Sequence, residues 1–295
     1  MKRTFLSFAV LAIGASLTLA AAAAPKLDNL FRMDELIKEG ADPNEPLYYD
    51  KMSPKTRRGN YYPLDAAVDS MQAFFITKLL DHGAKPRGNE LADAAYCFSH
   101  PQELEMCKVL LKAGLDPNAS GGANPHGYYG PPIAAAALRG NRQLVELLLA
   151  QPGIKPDNAA GDGYTALLHA AEKNSVEIAG LLLKAGADPN VINKRSGAPG
   201  HVGPAIAEAA ARGNEEMVVL LAGQPGIKID LASEGGDTAL MHAVRKGSPT
   251  MVASLLKAGA DPNLKSGTGE TPLVRMQKEI ESRQAILETL QSAGK

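Results

Sequence analysis

The 295-residue chain has no tryptophan, and aromatic residues make up only 5% of it. A core so poor in large rings must be assembled from Leu, Ile, Val and Ala, which suits closely packed helices. Cysteine is scarce too. Two residues cannot build a disulfide scaffold or a zinc site that needs four thiolates. No excess of one charge is present: Lys plus Arg is 31 and Asp plus Glu is 32, a balance that argues against general nucleic-acid binding. Beyond the N-terminus, no apolar run is long enough to span a bilayer. What the chain does contain is 45% apolar and 21% charged residues, the proportions of a folded globular protein.

Lys2 and Arg3 precede an uncharged, mostly apolar stretch from Phe5 to Ala20, and a small-residue run, Ala20 to Ala24, follows. This is the layout of a secretory signal peptide. The apolar stretch is about 16 residues, short of the roughly 20 of a spanning helix. A cleaved signal over residues 1–23 is therefore favoured over a retained anchor, with cleavage after Ala22 or Ala23 because Pro25 is a poor residue just after a cut. The expected mature protein, residues 24–295, is one soluble domain that does not insert into a membrane. The short, Ala-rich leader looks bacterial and predicts a periplasmic location.

The remainder repeats. One phrase reads LIKEGADPN at Leu36–Asn44, LLKAGLDPN at Leu110–Asn118, LLLKAGADPN at Leu181–Asn190 and LLKAGADPN at Leu255–Asn263. Looser copies are LLDHGAKP at Leu79–Pro86, LLLAQPGIKP at Leu147–Pro156 and LLAGQPGIKI at Leu220–Ile229. The marker glycines are Gly40, Gly83, Gly114, Gly153, Gly186, Gly226, Gly259 and Gly294, spaced 43, 31, 39, 33, 40, 33 and 35 residues apart. A second phrase precedes the marker, TALLHAA at Thr165–Ala171 and TALMHAV at Thr238–Val244. A base period of 33 with these two phrases resembles the ankyrin-repeat family, over nearly the whole mature chain.

That resemblance implies an all-α solenoid of stacked helix-turn-helix units, about seven full repeats plus an N-terminal partial one, Leu27 to Gly40. The local chemistry agrees. Thr165 can cap a first helix, Gly186 can end the second in the left-handed conformation, and Pro189 bars its continuation. Glu279, Glu281, Arg283 and Glu288 give the last unit the polar character of an end cap. The resemblance also implies that His169 and His242, inside the repeat phrase, are structural and bond neighbouring backbone.

Breaks in a solenoid's period map to loops on one face. Taking Asp65, Asp93, Ala135, His169, Glu208, His242 and Arg275 as equivalent, the regular marker-to-helix connection is 16 residues, but it is 25 before Asp65, 21 before Ala135 and 22 before Glu208. Three fingers are expected on one edge, pointing into one concave groove. The first carries Tyr48, Tyr49, Arg57, Arg58, Tyr61 and Tyr62, the second His126, Tyr128 and Tyr129, the third Lys194, Arg195 and His201. Tyr and Arg are enriched at binding hot spots. These residues are read as a partner-binding surface, with loop packing as the competing role for the tyrosines. The basic residues favour an acidic partner surface.

Cys97 and Cys107 fall in one unit whose hairpin is longer than regular. One is expected near the end of a first helix and the other early in a second, within reach of a disulfide in an oxidising compartment. Catalytic motifs are missing: no H-E-x-x-H, no G-x-S-x-G, and no phosphate loop with Lys-Ser or Lys-Thr. His126 and His201 could together bind metal or haem, but plain surface histidines are the simpler reading, and no cofactor or metal is expected. The sequence thus predicts a non-catalytic, monomeric protein-binding module in the periplasm. Exported bacterial relatives suggest two sharper roles: an inhibitor or immunity protein of a toxic enzyme, or a haem or metal carrier or accessory factor in oxidative-stress protection. A hydrolytic enzyme is the weakest reading.

Overall fold

The computed structural model describes residues 32–46, 62–70, 72–96, 102–120, 130–161, 163–192 and 203–293, the side chains of 287–293 excepted. Fourteen helices occur in these segments. They are α1 (Met33–Lys38), α2 (Pro63–Asp69), α3 (Ala73–Asp81), α4 (Glu90–Tyr96), α5 (Glu103–Lys112), α6 (Pro132–Arg139), α7 (Arg142–Leu149), α8 (Ala166–Glu172), α9 (Val176–Lys184), α10 (Ala205–Arg212), α11 (Glu215–Ala222), α12 (Ala239–Lys246), α13 (Pro249–Lys257) and α14 (Pro272–Ala293). Among the described residues the only β pairing is one isolated antiparallel bridge, Ile192 to Pro204.

Six hairpins, α2/α3 through α12/α13, stack with first helices against first helices and second against second. Local chemistry sets each boundary. Thr165 accepts from the Leu168 N–H at 3.3 Å and Thr238 from Met241 at 3.4 Å, capping donors that a helix start otherwise leaves unpaired. Between α8 and α9 the chain reverses through Asn174 at φ +56°, where the other units mostly use glycine. Gly186, at φ +90°, closes α9 with the Ala187 N–H donating to the Leu182 carbonyl at 3.0 Å.

First helices are rich in alanine: Ala134–Ala137 in α6 and Ala209–Ala211 in α10 are all buried. Second helices contribute larger groups, such as Leu144, Val145 and Leu148, or Met217, Val218 and Leu221. Small side chains let the first helices approach closely. One continuous core runs from Met33 to Ala260.

The C-terminal unit departs from expectation. In place of a seventh hairpin ending near Gly294, α14 runs unbroken for 22 residues. The reason lies in its sequence. Where other units turn on Gly140-Asn141, Gly213-Asn214 or Gly247-Ser248, this one reads Met276-Gln-Lys-Glu-Ile-Glu-Ser-Arg283, all tolerated inside a helix and mostly strong formers. The N-terminal partial unit is represented by α1 alone.

Candidate partner-binding edge

In the regular units a tight turn precedes each first helix. The Ala160 N–H donates to the Tyr164 carbonyl at 2.8 Å, Ser233 to Asp237 at 2.9 Å and Ser266 to Glu270 at 2.8 Å. The last two of these turns lie against one another. A Cβ built on Gly236 would come within 2.4 Å of the Gly267 nitrogen, so only glycine permits this approach. The two ends of the third lengthened segment meet at the same edge. The segment leaves at Ile192 and returns at Pro204, which pair through the bridge, and Gly203 sits where an added Cβ would meet Ser233 Cβ at 3.0 Å.

Eleven of the twelve sequence-predicted partner residues lie outside the described residues: Tyr48, Tyr49, Arg57, Arg58, Tyr61, His126, Tyr128, Tyr129, Lys194, Arg195 and His201. Tyr62 is described. The Arg87 guanidinium of the following unit lies 3.8 Å from its ring centroid. The same Arg87 pairs with Asp65 and reaches within 3.8 Å of Glu90. Burial pushes the Asp65 carboxyl above its ordinary range, against the opposing pull of the Tyr62 N–H and Arg87. Asp65 also stands one position earlier in its helix than the residues it was aligned with. It is the third residue of α2, where it accepts from the Tyr62 N–H at 2.9 Å; Ala66 is the true counterpart of His169.

The opposite ends of the lengthened segments carry a device that sequence reasoning missed. Each of the three leaves a turn ending in Asp-Pro-Asn, and that Asn bonds the next unit's marker turn. Asn44 donates to the Gly83 carbonyl at 3.1 Å and accepts from the Lys85 N–H at 2.8 Å. Asn118 does the same with Gly153 and Lys155 at 2.9 and 2.7 Å, and Asn190 with Gly226 and Lys228 at 3.2 and 2.7 Å. The turns at Gly153 and Gly226, which carry regular connections, end in aspartate, while the one at Gly83 ends in Arg87 and carries a shortened connection. Asp157 and Asp230 only accept, from the Asp188 and Asp261 N–H groups at 3.0 and 3.1 Å. The signal is an alternation of D-P-N with K-P-R, K-P-D and K-I-D; the last D-P-N, at Asp261–Asn263, precedes a regular connection.

The two histidines are buried on first helices, and His169 lacks the backbone bond expected of it. In the family phrase T-P-L-H-x-A the histidine follows threonine by three residues; His169 and His242 follow theirs by four. His169 stacks on Tyr164 at 5.0 Å between centroids, and its Nδ1 lies 3.8 Å from Glu172, without a hydrogen bond at either nitrogen. His169 is the main influence holding the Glu172 carboxyl below its usual range. His242 Nδ1 accepts from Arg245 at 2.7 Å, which leaves Nε2 as the protonated nitrogen facing Ser233 Oγ at 3.5 Å.

Buried carboxylates are largely matched by arginines. Arg212 bonds Glu208 at 2.5 Å and Glu172 at 3.1 Å. Arg275 grips Asp237 through two bonds of 2.7 and 2.9 Å. Glu103 is the exception. It is 1% exposed, and neither of its oxygens has a hydrogen-bond partner. Burial pushes its carboxyl up to about 7, with Asn141 and Arg139 pulling weakly the other way. Cys107 is buried one turn further along α5, while Cys97 lies outside the described residues. No cluster of His, Cys, Asp and Glu suited to a metal ion occurs among the described residues.

Comparison with known proteins places this architecture. The family model described as ankyrin repeats (3 copies) matches residues 91–193 and 202–276. The transient receptor potential cation channel subfamily A member 1 of Homo sapiens is 34% identical over 128 residues, 43% of this chain and 11% of that protein. The nuclear factor NF-kappa-B p105 subunit of Gallus gallus is 28% identical over 167 residues, 56% of this chain and 16% of that protein. The matched region is thus a small part of these curated relatives. The crystal structure of the ankyrin repeat domain of Bcl-3, described as a unique member of the IkappaB protein family, superposes with a TM-score of 0.59 at 26% identity, covering 72% of this chain and 92% of that one. With the family model matching more than half of its length, the chain belongs to the ankyrin-repeat family.

Proposed function

We propose that this ankyrin-repeat protein, a protein–protein interaction module, is exported to the periplasm and holds one specific partner with its three lengthened segments, without catalysis. The observation that carries the reading is the alternation of turns. Every lengthened segment follows a turn whose Asn is bonded twice to the next unit, at Asn44, Asn118 and Asn190. Three binding segments rooted at every second unit would share one edge and one spacing, with the stack as a rigid support. Their tyrosines, arginines and lysines suit a partner with an acidic, partly apolar surface. In the sharper form of this reading the partner is a toxic enzyme whose active site the module covers.

The test is an affinity capture of the purified protein from its own periplasmic extract. It is run beside a variant in which Tyr48, Tyr49, Tyr128 and Tyr129 are replaced by alanine. One stoichiometric partner lost in the variant supports the proposal, and its identity decides the sharper form. Equal capture by both proteins overturns the role given to these tyrosines.

A further inference from the structure

Helix α14 exposes polar residues such as Gln277, Lys278, Glu281 and Gln284, but an apolar row runs among them. Leu273 is 65% exposed. Its counterparts in the preceding first helices, Leu64, Leu91, Ile133, Leu167, Ile206 and Leu240, are all buried. Each interior copy of this residue is covered by the first helix of the next unit. The open face of α14 is therefore continuous with the repeat-to-repeat interface, and the element that would cover it is another helix.

Two features say which helix. Interior first helices carry Ala-Ala or Ala-Val at the positions that α14 fills with Met276 and Gln277, so the close approach of ordinary repeat stacking is closed to it. The helix also runs far beyond its neighbours, about 33 Å for its 22 residues. From Ile280 to Ile286 every residue is exposed. Along this length, residues 273, 280 and 287 are Leu, Ile and Leu, and residues 276, 283 and 290 are Met, Arg and Leu. That is a two-position heptad seam over about three heptads, the pattern of one helix pairing with another.

We propose that α14 pairs antiparallel with α14 of a second copy of this chain, forming a two-fold dimer. One register satisfies the seam. Position 273 faces 290, 276 faces 287, and 280 faces 283, so the lone charge in the seam falls at the centre. There Arg283, which bonds its own Glu279 at 3.1 Å, also meets the partner's Glu279. A single polar seam residue of this kind fixes register and strand number. Head-to-tail stacking would instead build an open filament; pairing identical faces closes the assembly.

Sedimentation velocity on the whole purified protein across a concentration series tests this. The expected species is a dimer that dissociates on dilution. Ile280→Glu gives monomer at concentrations where the parent is dimeric, with an unchanged circular dichroism spectrum. Arg283→Glu alone weakens association at least tenfold, and combining it with Glu279→Arg restores it. A parent that stays monomeric throughout, a mass that grows without limit, or association untouched by Ile280→Glu overturns the proposal.

Discussion

The Asn190 side chain spans two repeats, its Nδ2 donating to the Gly226 carbonyl at 3.2 Å while its Oδ1 accepts the Lys228 N–H at 2.7 Å. One turn later in the stack, Asp230 makes only the accepting half of this contact, to Asp261. The chain thus contains its own control. Asn190→Asp keeps the acceptor and loses the donor, and should cost about 1 kcal/mol. Asp230→Asn adds the donor and should be neutral or stabilising. Urea unfolding of both variants checks the pair; equal losses would show that the side-chain donor contributes nothing.

Much of this architecture could be read in the sequence because each unit repeats its own boundary signals. Thr165 and Thr238 cap as their position predicts, and Gly186 ends α9 as expected. The continuous α14 was hidden by the final Gly294, which continues the marker spacing although no turn signal lies between Met276 and Arg283. Arg87 over Tyr62 could not be foreseen, since ion pairs between units depend on how side chains meet across the stack. The register of Asp65 was misjudged because α2 starts at Pro63, one residue nearer its aspartate than the regular phrase allows.

Glu103 makes stability pH-dependent in an unusual direction. Its carboxyl titrates at about 7 in the folded chain against an ordinary 4.5. Between these values the folded state holds a proton that the unfolded state has released. Stability from this group therefore falls as pH rises from about 4.5 to 7, then levels off, by on the order of 3 kcal/mol. Glu103→Gln should remove this slope, leaving the variant more stable than the parent at pH 8 and similar to it at pH 4. Parallel pH series of urea midpoints would show it; identical slopes would refute it.

Cys107 is buried in α5, and its proposed partner is Cys97. Thiol titration of exported protein, denatured without reductant, should find no free thiol. Reduction should lower stability by roughly 2–4 kcal/mol. Two titratable thiols would remove the disulfide.

The tyrosines separate into two groups by a stability test. Tyr62 carries the Arg87 guanidinium on its ring, and Arg87 in turn pairs with the half-buried Asp65. Tyr62→Ala removes that platform and frees the arginine from one of its supports, so it should destabilise the first hairpins by about 1–2 kcal/mol, a ring–cation contact plus lost packing. Arg87→Lys should reproduce part of the loss, because an ammonium neither stacks on the ring nor forks onto Asp65. If Tyr48, Tyr49, Tyr128 and Tyr129 form a contact surface, replacing all four with alanine should leave the melting temperature nearly unchanged while partner capture is lost. A melting temperature lowered as far by those four as by Tyr62→Ala would make them packing residues of the long segments, and recognition would then have to rest on the arginines, lysines and histidines beside them.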